Sequence, residues 1–321
     1  MSIMQLDELK KFTKIVVDTG DIESIEQYQP QDATTNPSLI LKAAQMANYK
    51  YLIIDAIKWA KKNSNKNSDF LSAILLKLFV NFGLKILNVI SGRVSIEVDA
   101  AFSFDIDKSV KMARDYITLY KESGIDKERV LIKLASTWEG IEAAKILEKE
   151  GIHCNMTLVF SLAQAIAAAE ANVTLISPFV GRIYDWQLKK DGVKYISPDK
   201  DMGVISVTNI YNYYKKFDYK TQVMGASFRN VGEIIALAGC DLLTISPQLL
   251  QELNSSLGKI ERKLDPSKSK KLNIDKIIID EKNYRYLLCS DEMATEKLFD
   301  GIRNFVKDTI ELKNYISQSF L

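Results

Sequence analysis

Short apolar runs rich in β-branched residues alternate along this chain with longer segments of helical periodicity. Eight of the runs predict strands: Ile15–Thr19, Ala33–Asn36, Val94–Asp99, Val130–Ala135, Cys154–Val159, Leu175–Val180, Gln222–Ser227 and Leu242–Pro247. The segments between them predict helices, among them Ser109–Ser123, Trp138–Glu150, Ser161–Glu170, Val207–Phe217 and Val231–Ala238. Strands and helices that alternate in this way indicate an α/β protein with a parallel sheet.

Eight strand–helix units predict a (β/α)8 TIM barrel, a fold that takes roughly 250 residues. A doubly wound open sheet is the alternative, but that fold is expected to have a glycine-rich first turn, and none follows Ile15–Thr19. No glycine-rich or proline-rich linker interrupts the sequence. We therefore expect residues 1–321 to form a single catalytic domain.

Two regions fall outside the eightfold pattern. Extra helices are predicted after the second strand, at Pro37–Asn48, Lys50–Lys62 and Asp69–Val89. After the eighth strand, Lys268–Lys271 predicts a solvated loop, and Glu292–Ser317 predicts an amphipathic helix that packs on the barrel or on a second subunit. The apolar stretch Phe70–Ile90 carries three polar residues at helical spacing, which favours a helix packed on a sheet over a membrane span.

Composition narrows the possible partners. The 321 residues are 47% hydrophobic and 26% charged, which is enough for an ordinary core. The net charge of +2 provides no basic field for nucleic acid. With one histidine and three widely spaced cysteines, we expect neither a metal site nor a disulfide. No apolar signal segment opens the sequence, so we expect a cytoplasmic protein.

Lys133 lies in the middle of the aliphatic strand Val130–Ala135, which is typical of a strand buried on both faces. Lysine is almost never fully buried without a partner, so this ammonium either has a counter-charge or has lost its proton. A neutral, desolvated lysine is a nucleophile that forms a Schiff base with a carbonyl substrate. A purely structural ion pair is the alternative, and Lys133 alone does not decide between the two.

Alternation along the strands places further polar side chains near this lysine. In a barrel, alternate residues point inward, and chemistry collects at the carboxyl ends of the strands. The third strand places Ser95, Glu97 and Asp99 on one face, an arrangement that is costly in a dry interior but suits a wet pocket. The fifth strand places Asn155 and Thr157 on one face, and other strands supply candidates at or just after their carboxyl ends: Asp18, Asn36, Ser177 with Phe179, Arg182, Ser227 and Arg229.

Each candidate also has a structural explanation. Asn36 can cap the following helix, Asp18 can be a turn residue, and Glu97 can be only the ion-pair partner of the lysine. The arginines can be surface charges, and the spacing of Ser136 and Glu139 predicts a capping box. However, inward polar groups from several strands around one buried lysine are not needed for packing. Taken together, they favour a pocket.

The chemistry that fits this pocket is carbonyl chemistry through an iminium. Lys133 would attack a ketone, and Glu97 would transfer the protons of carbinolamine formation and dehydration. Thr157 can hold a water that relays those protons, and Asp18 can take the proton of a substrate hydroxyl and so drive C–C cleavage. Guanidinium forks and a hydroxyl suited to a phosphate follow the sixth and seventh strands, at Arg182, Arg229 and Ser227.

Five stretches, in order along the chain, resemble the motifs of the transaldolase family: Asp32–Leu39, Ile132–Gly140, Asn155–Leu158, Ile176–Arg182 and Met224–Asn230. The resemblance runs from near the N-terminus to the C-terminal helix and is greatest to the full-length, bacterial-type branch. It implies transfer of a dihydroxyacetone unit from sedoheptulose 7-phosphate or fructose 6-phosphate to glyceraldehyde 3-phosphate or erythrose 4-phosphate. This reaction belongs to the non-oxidative pentose phosphate pathway and needs no metal or organic cofactor.

The resemblance also implies a role for each candidate. The catalytic positions of the family fall on the Schiff-base lysine, the proton-transfer glutamate, the aspartate at the C4 hydroxyl and the water-holding threonine: Lys133, Glu97, Asp18 and Thr157. The positions that hold the dihydroxyacetone moiety fall on Asn36, Asn155 and Ser177. Those that bind the phosphate fall on Arg182, Ser227 and Arg229. The family branch also implies a homodimer that involves the C-terminal helix.

Two other functions stay open at this point. Fructose 6-phosphate aldolase is a shorter relative that releases free dihydroxyacetone and carries glutamine and tyrosine where this chain has Glu97 and Phe179. Both positions and the chain length favour transaldolase. A barrel that only binds sugar phosphates, or one that has lost its activity, is the second alternative. The presence of Lys133, Glu97 and Asp18 argues against it.

Overall fold

Eight parallel strands close into a barrel in chain order, in a computed structural model that describes residues 3–28, 30–64 and 69–321. The strands are β1 (Lys14–Asp18), β2 (Asp32–Thr34), β3 (Val94–Glu97), β4 (Val130–Ala135), β5 (Cys154–Val159), β6 (Leu175–Pro178), β7 (Gln222–Gly225) and β8 (Leu242–Ile245). All eight predicted strands are confirmed, and the closed order excludes the open-sheet alternative. β4 and β5 have the predicted bounds, while the other six end one or two residues earlier because their carboxyl-end residues leave the sheet.

Helices connect successive strands and surround the barrel. Through the fifth strand they are α1 (Gln5–Lys10), α2 (Ile22–Tyr28), α3 (Pro37–Gln45), α4 (Lys50–Asn63), α5 (Phe70–Leu87), α6 (Ile106–Glu122) and α7 (Trp138–Lys149). The rest are α8 (Leu162–Glu170), α9 (Val180–Asp191), α10 (Met202–Lys216), α11 (Val231–Ala236), α12 (Pro247–Ser255), α13 (Pro266–Ser269), α14 (Glu281–Ser290) and α15 (Glu292–Phe320). The predicted extra helices after the second strand are confirmed as α3, α4 and α5.

Three predictions about local structure are wrong. The sixth predicted strand wrongly included Val180, which is the first residue of α9, because an unbroken apolar run does not distinguish a strand from a buried helix. The lysine-rich stretch is not simply a loop, since Asp265 caps a short helix, α13, and Pro266 occupies its first position. Ser136 does not cap α7. Thr137 does, and its hydroxyl accepts the N–H of Gly140 at 2.9 Å.

α5 is long and apolar enough to cross a membrane by length and composition, with a mean hydropathy of 1.9. In the structure 56% of this helix is buried, and it packs against α4, α6 and β3. α15 lies against the carboxyl end of the barrel, where it contacts α3, α9 and β5. Of the two predicted packing partners for the C-terminal helix, the barrel is therefore confirmed.

The interior of the barrel is apolar at one end and polar at the other. Inward-facing side chains from five strands fill the amino-terminal part: Val16, Leu131, Leu175, Met224 and Leu242. Two residues further along the same strands, the inward positions include Asp18, Lys133 and Ser177. The change from apolar to polar along one face places the candidate site at the carboxyl end of the barrel, where TIM-barrel enzymes have their active sites.

Candidate active site

Lys133 and Glu97 form a buried ion pair across two neighbouring strands. The register of β3 against β4 sets the two residues side by side, with 3.2 Å between Lys133 Nζ and Glu97 Oε2. Their side chains are only 5% and 2% exposed. The Nζ atom also donates a hydrogen bond to the carbonyl oxygen of Thr35, at 2.9 Å. The lysine singled out by the strand pattern therefore has both a counter-charge and a hydrogen-bond acceptor.

Asp18 adds a second carboxyl group to this site. It ends β1 and accepts a hydrogen bond from the hydroxyl of Thr34 at 2.8 Å. Burial raises the pKa of Asp18 and of Glu97 above the usual range, and the ammonium of Lys133 opposes the rise at both. The guanidinium of Arg182 opposes the rise more weakly. Because burial is the largest influence on both pKa values, the site favours the protonated form of these groups more than water does.

Thr157 Oγ1 is buried and has no hydrogen-bond partner within residues 3–28, 30–64 and 69–321. Glu97 Oε2 is also buried, and in the same residues its one polar contact is the ion pair with Lys133. Buried polar atoms without partners are rare in folded proteins. The backbone at Thr157 is also unusual, because the next residue, Leu158, has a left-handed φ of 55°. The register of β5 against β6 shifts between Met156 and Val159, and such bulges commonly redirect side chains at active sites. Thr157 Oγ1 is thus available to a water or a substrate, and Glu97 Oε2 can accept a hydrogen bond in addition to its ion pair.

Two amide side chains lie around the same pocket. Asn155 is buried, donates a hydrogen bond to the hydroxyl of Ser95 at 3.1 Å and accepts one from the hydroxyl of Ser177 at 2.6 Å. Asn36 caps α3, as predicted, through a 2.9 Å bond from the N–H of Leu39 to its Oδ1. Because Asn36 also lines the pocket, its helix-capping role does not exclude contact with a substrate.

The pocket brings most of the candidates together. Its walls are formed by Asp18, Thr34, Asn36, Lys133, Ser177, Phe179, Arg182, Ala226, Ser227 and Thr244. Glu97 and Asn155 flank the lysine in the strand register, and Thr157 follows two residues further along β5. Arg229 is exposed and is not among these lining residues. Among the residues that the structure describes, no group of three or more His, Cys, Asp or Glu side chains is placed to bind a metal ion.

Arg182 is not a surface charge, which was the alternative to phosphate binding for this residue. The first turn of α9 places its guanidinium carbon 4.9 Å from the ring centroid of Phe179 and 5.3 Å from that of Phe305, which lies on α15. Burial lowers the pKa of Arg182, and the neighbouring Arg229 adds to this effect. Within the described part of the chain, its guanidinium makes no ion pair or hydrogen bond. A desolvated cation with unused donors is suited to an anionic ligand.

Arg229, in contrast, is already paired. Its Nε and Nη2 atoms donate to the carboxylate of Asp185, with a shortest distance of 2.7 Å, and Nη1 donates to the carbonyl oxygen of Ser227 at 3.1 Å. The loop lies close against α9, because the N–H of Gly181 donates to the same carbonyl at 2.8 Å. A Cβ atom at Gly181 would come within 2.2 Å of it, so glycine is required there. Ser227 itself has a left-handed φ of 63°.

Four residues of this site were not predicted: Thr34, Thr35, Thr244 and Phe305. The hydroxyls of Thr34 and Thr244 lie 2.7 Å apart, and the alternation used for the other strands would have placed Thr244 on the inner face with Leu242. Thr35 contributes only its backbone carbonyl, which no side-chain pattern reveals. Phe305 comes from a helix distant in sequence, and nothing in its local sequence indicates contact with the pocket.

An eight-stranded parallel barrel with a buried lysine–glutamate pair at its carboxyl end has the arrangement of a TIM-barrel enzyme. The chain matches the family described as Transaldolase/Fructose-6-phosphate aldolase over residues 15–316. It is 58% identical to a transaldolase of Protochlamydia amoebophila over 98% of both chains. It is 57% identical to the transaldolase of Homo sapiens, over 98% of this chain and 93% of the human one. A probable transaldolase of Drosophila melanogaster is 59% identical over 98% of this chain and 95% of its own.

The chain therefore belongs to the transaldolase/fructose-6-phosphate aldolase family. The resemblance read from the five sequence motifs is confirmed.

Proposed function

We propose that this enzyme is a transaldolase that carries dihydroxyacetone on Lys133, between a ketose phosphate donor and an aldose phosphate acceptor. The donors are sedoheptulose 7-phosphate and fructose 6-phosphate, and the acceptors are glyceraldehyde 3-phosphate and erythrose 4-phosphate. The observation that supports this most directly is the buried pair of Lys133 and Glu97, 3.2 Å apart at the carboxyl end of the barrel. The near full-length identity to transaldolases of bacteria and animals agrees with it.

The first stage forms the Schiff base. Glu97 takes the ammonium proton of Lys133, and the neutral amine adds to the C2 carbonyl of the ketose. The carbonyl oxygen becomes the hydroxyl of a carbinolamine, and it leaves as water once Glu97 returns a proton to it. A water held by the hydroxyl of Thr157 and by Glu97 Oε2 would carry these protons, because Thr157 Oγ1 is buried without a partner among the described residues and Glu97 Oε2 lies beside Lys133 Nζ.

The second stage breaks and remakes a C–C bond. Asp18 removes the proton of the C4 hydroxyl, the C3–C4 electron pair moves toward the iminium, and the aldose phosphate leaves as an aldehyde. An enamine of dihydroxyacetone remains on Lys133. Its C3 atom then attacks the acceptor aldehyde, Asp18 returns the proton to the new C4 oxygen, and water releases the product ketose. The raised pKa of Asp18 suits a group that both accepts and donates this proton.

The other polar groups would position the substrate relative to Lys133 and Asp18. Asn36, Asn155 and Ser177 surround the dihydroxyacetone part, with Phe179 as an apolar wall. The phosphate would lie between the guanidinium of Arg182 and the loop that carries Ser227 and Arg229. The guanidinium of Arg182 contacts the rings of Phe179 and Phe305 but makes no hydrogen bond in the described chain, so a phosphate can accept from its N–H groups.

Borohydride trapping tests the covalent step. The enzyme is reduced in the presence of fructose 6-phosphate, digested and mapped by mass spectrometry, and we expect a dihydroxyacetone-derived adduct on Lys133. The Lys133→Ala variant should give neither adduct nor turnover. The control variant Lys111→Ala removes an exposed lysine of α6 and should keep both. An unmodified Lys133 in the active enzyme would refute the mechanism.

Aldolase activity is the competing outcome within the same family. Fructose 6-phosphate is supplied with and without erythrose 4-phosphate, and release of glyceraldehyde 3-phosphate is followed. A transaldolase needs the acceptor for continued turnover, because dihydroxyacetone stays on Lys133. Equally rapid release without an acceptor would instead support fructose 6-phosphate aldolase.

The setting of this activity is part of the proposal. The enzyme would work in the cytoplasm, in the non-oxidative pentose phosphate pathway, as a homodimer without nucleic-acid or membrane partners. Light scattering coupled to size exclusion tests the assembly and should give twice the chain mass of 36.3 kDa. A mass of one chain at assay concentrations would contradict it.

A further inference from the structure

Glu233 is a buried carboxyl group that the proposed mechanism does not use. It lies in the first turn of α11, and its side chain is fully buried. Its Oε2 atom accepts a hydrogen bond from the backbone N–H of Arg229 at 2.8 Å. Its Oε1 atom accepts one from the side-chain amide of Asn230 at 3.1 Å, and Asn230 Oδ1 accepts the N–H of Glu233 at 3.0 Å. Glu233 is therefore bonded to the loop that carries the proposed phosphate ligands.

This loop, residues 226–230, requires support. Ser227 adopts a left-handed φ of 63°, a conformation that costs a non-glycine residue about 1–2 kcal/mol. Such strain persists only where the surrounding structure holds it in place. On one side the N–H of Gly181 binds the carbonyl of Ser227. On the other side Glu233 binds the backbone of Arg229.

Helix capping alone does not account for this arrangement. In a capping box, the glutamate at the third helical position accepts the N–H of the cap residue itself. Here Asn230 is the cap, and the carboxylate of Glu233 interacts with its backbone N–H but also reaches one residue further back, to the N–H of Arg229. The carboxylate thus connects the start of α11 to a residue proposed to contact phosphate.

The surroundings of Glu233 make its charge sensitive to pH near neutrality. Burial raises its pKa to about 7, with a further contribution from Asp201 and an opposing one from Arg229. Asp201 caps α10, is itself buried, and its Oδ2 atom has no hydrogen-bond partner in the described chain. The neighbouring α12 has no charged residue in its first turn. In the described chain, the charged side chains that act on Glu233 are Asp201 on α10 and Arg229, which is itself paired with Asp185 on α9.

We propose that Glu233 is a positioning residue that holds the loop 226–230 so that Ser227 and Arg229 face the substrate phosphate, more firmly as a carboxylate than as a carboxylic acid. A carboxylate accepts both bonds at full strength, whereas in a protonated carboxyl one oxygen becomes a hydroxyl, which is a donor and only a weaker acceptor. The proposal rests on the assignment of Ser227 and Arg229 to phosphate binding in the proposed function.

The direction of the pH effect follows from this difference. Above the pKa of Glu233, the loop is held by two hydrogen bonds to a charged carboxylate. Below this pKa, the hydrogen bonds to the neutral carboxyl group are weaker. The KM for a phosphorylated donor should therefore rise as the pH falls through about 7. The ionisation of the substrate phosphate acts in the same range, so the comparison needs a variant in which only Glu233 has changed.

Glu233→Gln provides that comparison, because glutamine is neutral at every pH and has one acceptor oxygen. KM and kcat for fructose 6-phosphate, with erythrose 4-phosphate as acceptor, are measured for both proteins between pH 6 and pH 8. The ratio of the two KM values cancels the ionisation of the substrate. We expect a ratio near 1 at pH 6 and about fivefold at pH 8, the effect of one hydrogen bond, with kcat within about twofold. Glu252→Gln, an exposed change on α12, should give a ratio of 1 throughout.

A KM ratio that does not change with pH would overturn the proposal and leave Glu233 as a structural cap. If Glu233→Gln does not fold, Asn230→Ala removes one donor to the carboxylate and leaves the carboxyl in place. It should then shift the inflection in KM to higher pH, and an unshifted inflection would also overturn the proposal. Borohydride trapping of unphosphorylated dihydroxyacetone on Lys133 distinguishes a failure of the proposed function from a failure of the role proposed for Glu233. Wild-type enzyme that forms no adduct refutes the proposed function, whereas a normal adduct with an unchanged KM ratio refutes only the role of Glu233.

Discussion

Replacement of Lys133 by methionine tests how the charges of the buried Lys133–Glu97 pair affect the stability of the protein. The substitution keeps a side chain of similar length but removes Nζ, its ion pair with Glu97 and its 2.9 Å bond to the carbonyl of Thr35. Loss of one partner of a buried ion pair costs about 3–5 kcal/mol while the other partner stays ionised. Glu97 avoids much of this cost by taking a proton, because burial already raises its pKa and Lys133 is the main charge that opposes the rise.

The stability of Lys133→Met should therefore depend on pH. The pKa of Glu97 in the folded variant lies above that in the unfolded chain, so the penalty is absent when both states are protonated. It grows as the pH rises from the unfolded value through the folded one. Asp18 acts in the same direction, since Lys133 is also the main charge that lowers its pKa. We expect a loss of about 1 kcal/mol at pH 5, from the lost hydrogen bond, and about 3–5 kcal/mol at pH 8.

Urea denaturation at the two pH values measures this difference. Lys111→Met is the matched control, because Lys111 forms an exposed pair with Asp115 and such pairs add little to stability. Its unfolding free energy should stay close to that of the wild type at both pH values. An equal loss for Lys133→Met at pH 5 and pH 8 would refute the reasoning about Glu97.

Two further substitutions separate the steps of the reaction. Asp18→Asn should slow turnover by about 10²–10⁴-fold, the usual contribution of a general base, while borohydride still traps fructose 6-phosphate on Lys133. A parallel loss of trapping and turnover would contradict the assignment of Asp18 to C–C cleavage. Phe305→Leu removes one of the two ring faces against Arg182 and should raise the KM for phosphorylated donors by roughly two- to thirtyfold, which corresponds to a cation–π contact of about 0.5–2 kcal/mol. A KM equal to that of the wild type would show that this contact does not orient Arg182.

Much of the barrel and of its catalytic centre follows from the sequence, because both depend on the local period of two in each strand. Leu131 and Lys133 alternate with residues of the opposite face, so one inward side of β4 changes from apolar to charged within two residues. The same alternation places Glu97 beside Lys133 once the two strands pair in register. The strand bounds were less predictable, since an apolar run such as Leu175–Val180 continues from the end of β6 into α9 without a change in composition.

The remaining parts of the site depend on contacts between distant elements. The carbonyl of Thr35 that binds Lys133 has no signature in its side chain, and it accepts this bond only because β2 and β4 lie in one closed barrel. The bulge at Leu158 results from how β5 and β6 pair, and the strand itself reads as a regular apolar run. Phe305 reaches the site because α15 crosses the carboxyl end of the barrel.

The two arginines at the phosphate end show why residue type alone was insufficient. From the sequence, Arg182 and Arg229 are equivalent guanidinium groups, each able to bind a phosphate or to be a surface charge. In the structure Arg182 is partly buried against two rings, with no acceptor contact in the described chain, so an incoming phosphate would add attraction without displacing a bond. Arg229 already binds Asp185 and the carbonyl of Ser227, so a phosphate must share it with these partners. Arg182 is therefore suited to supply affinity for the phosphate, and Arg229 is suited to orient it. Glu233 holds the backbone of Arg229 and so acts on the orientation of the phosphate.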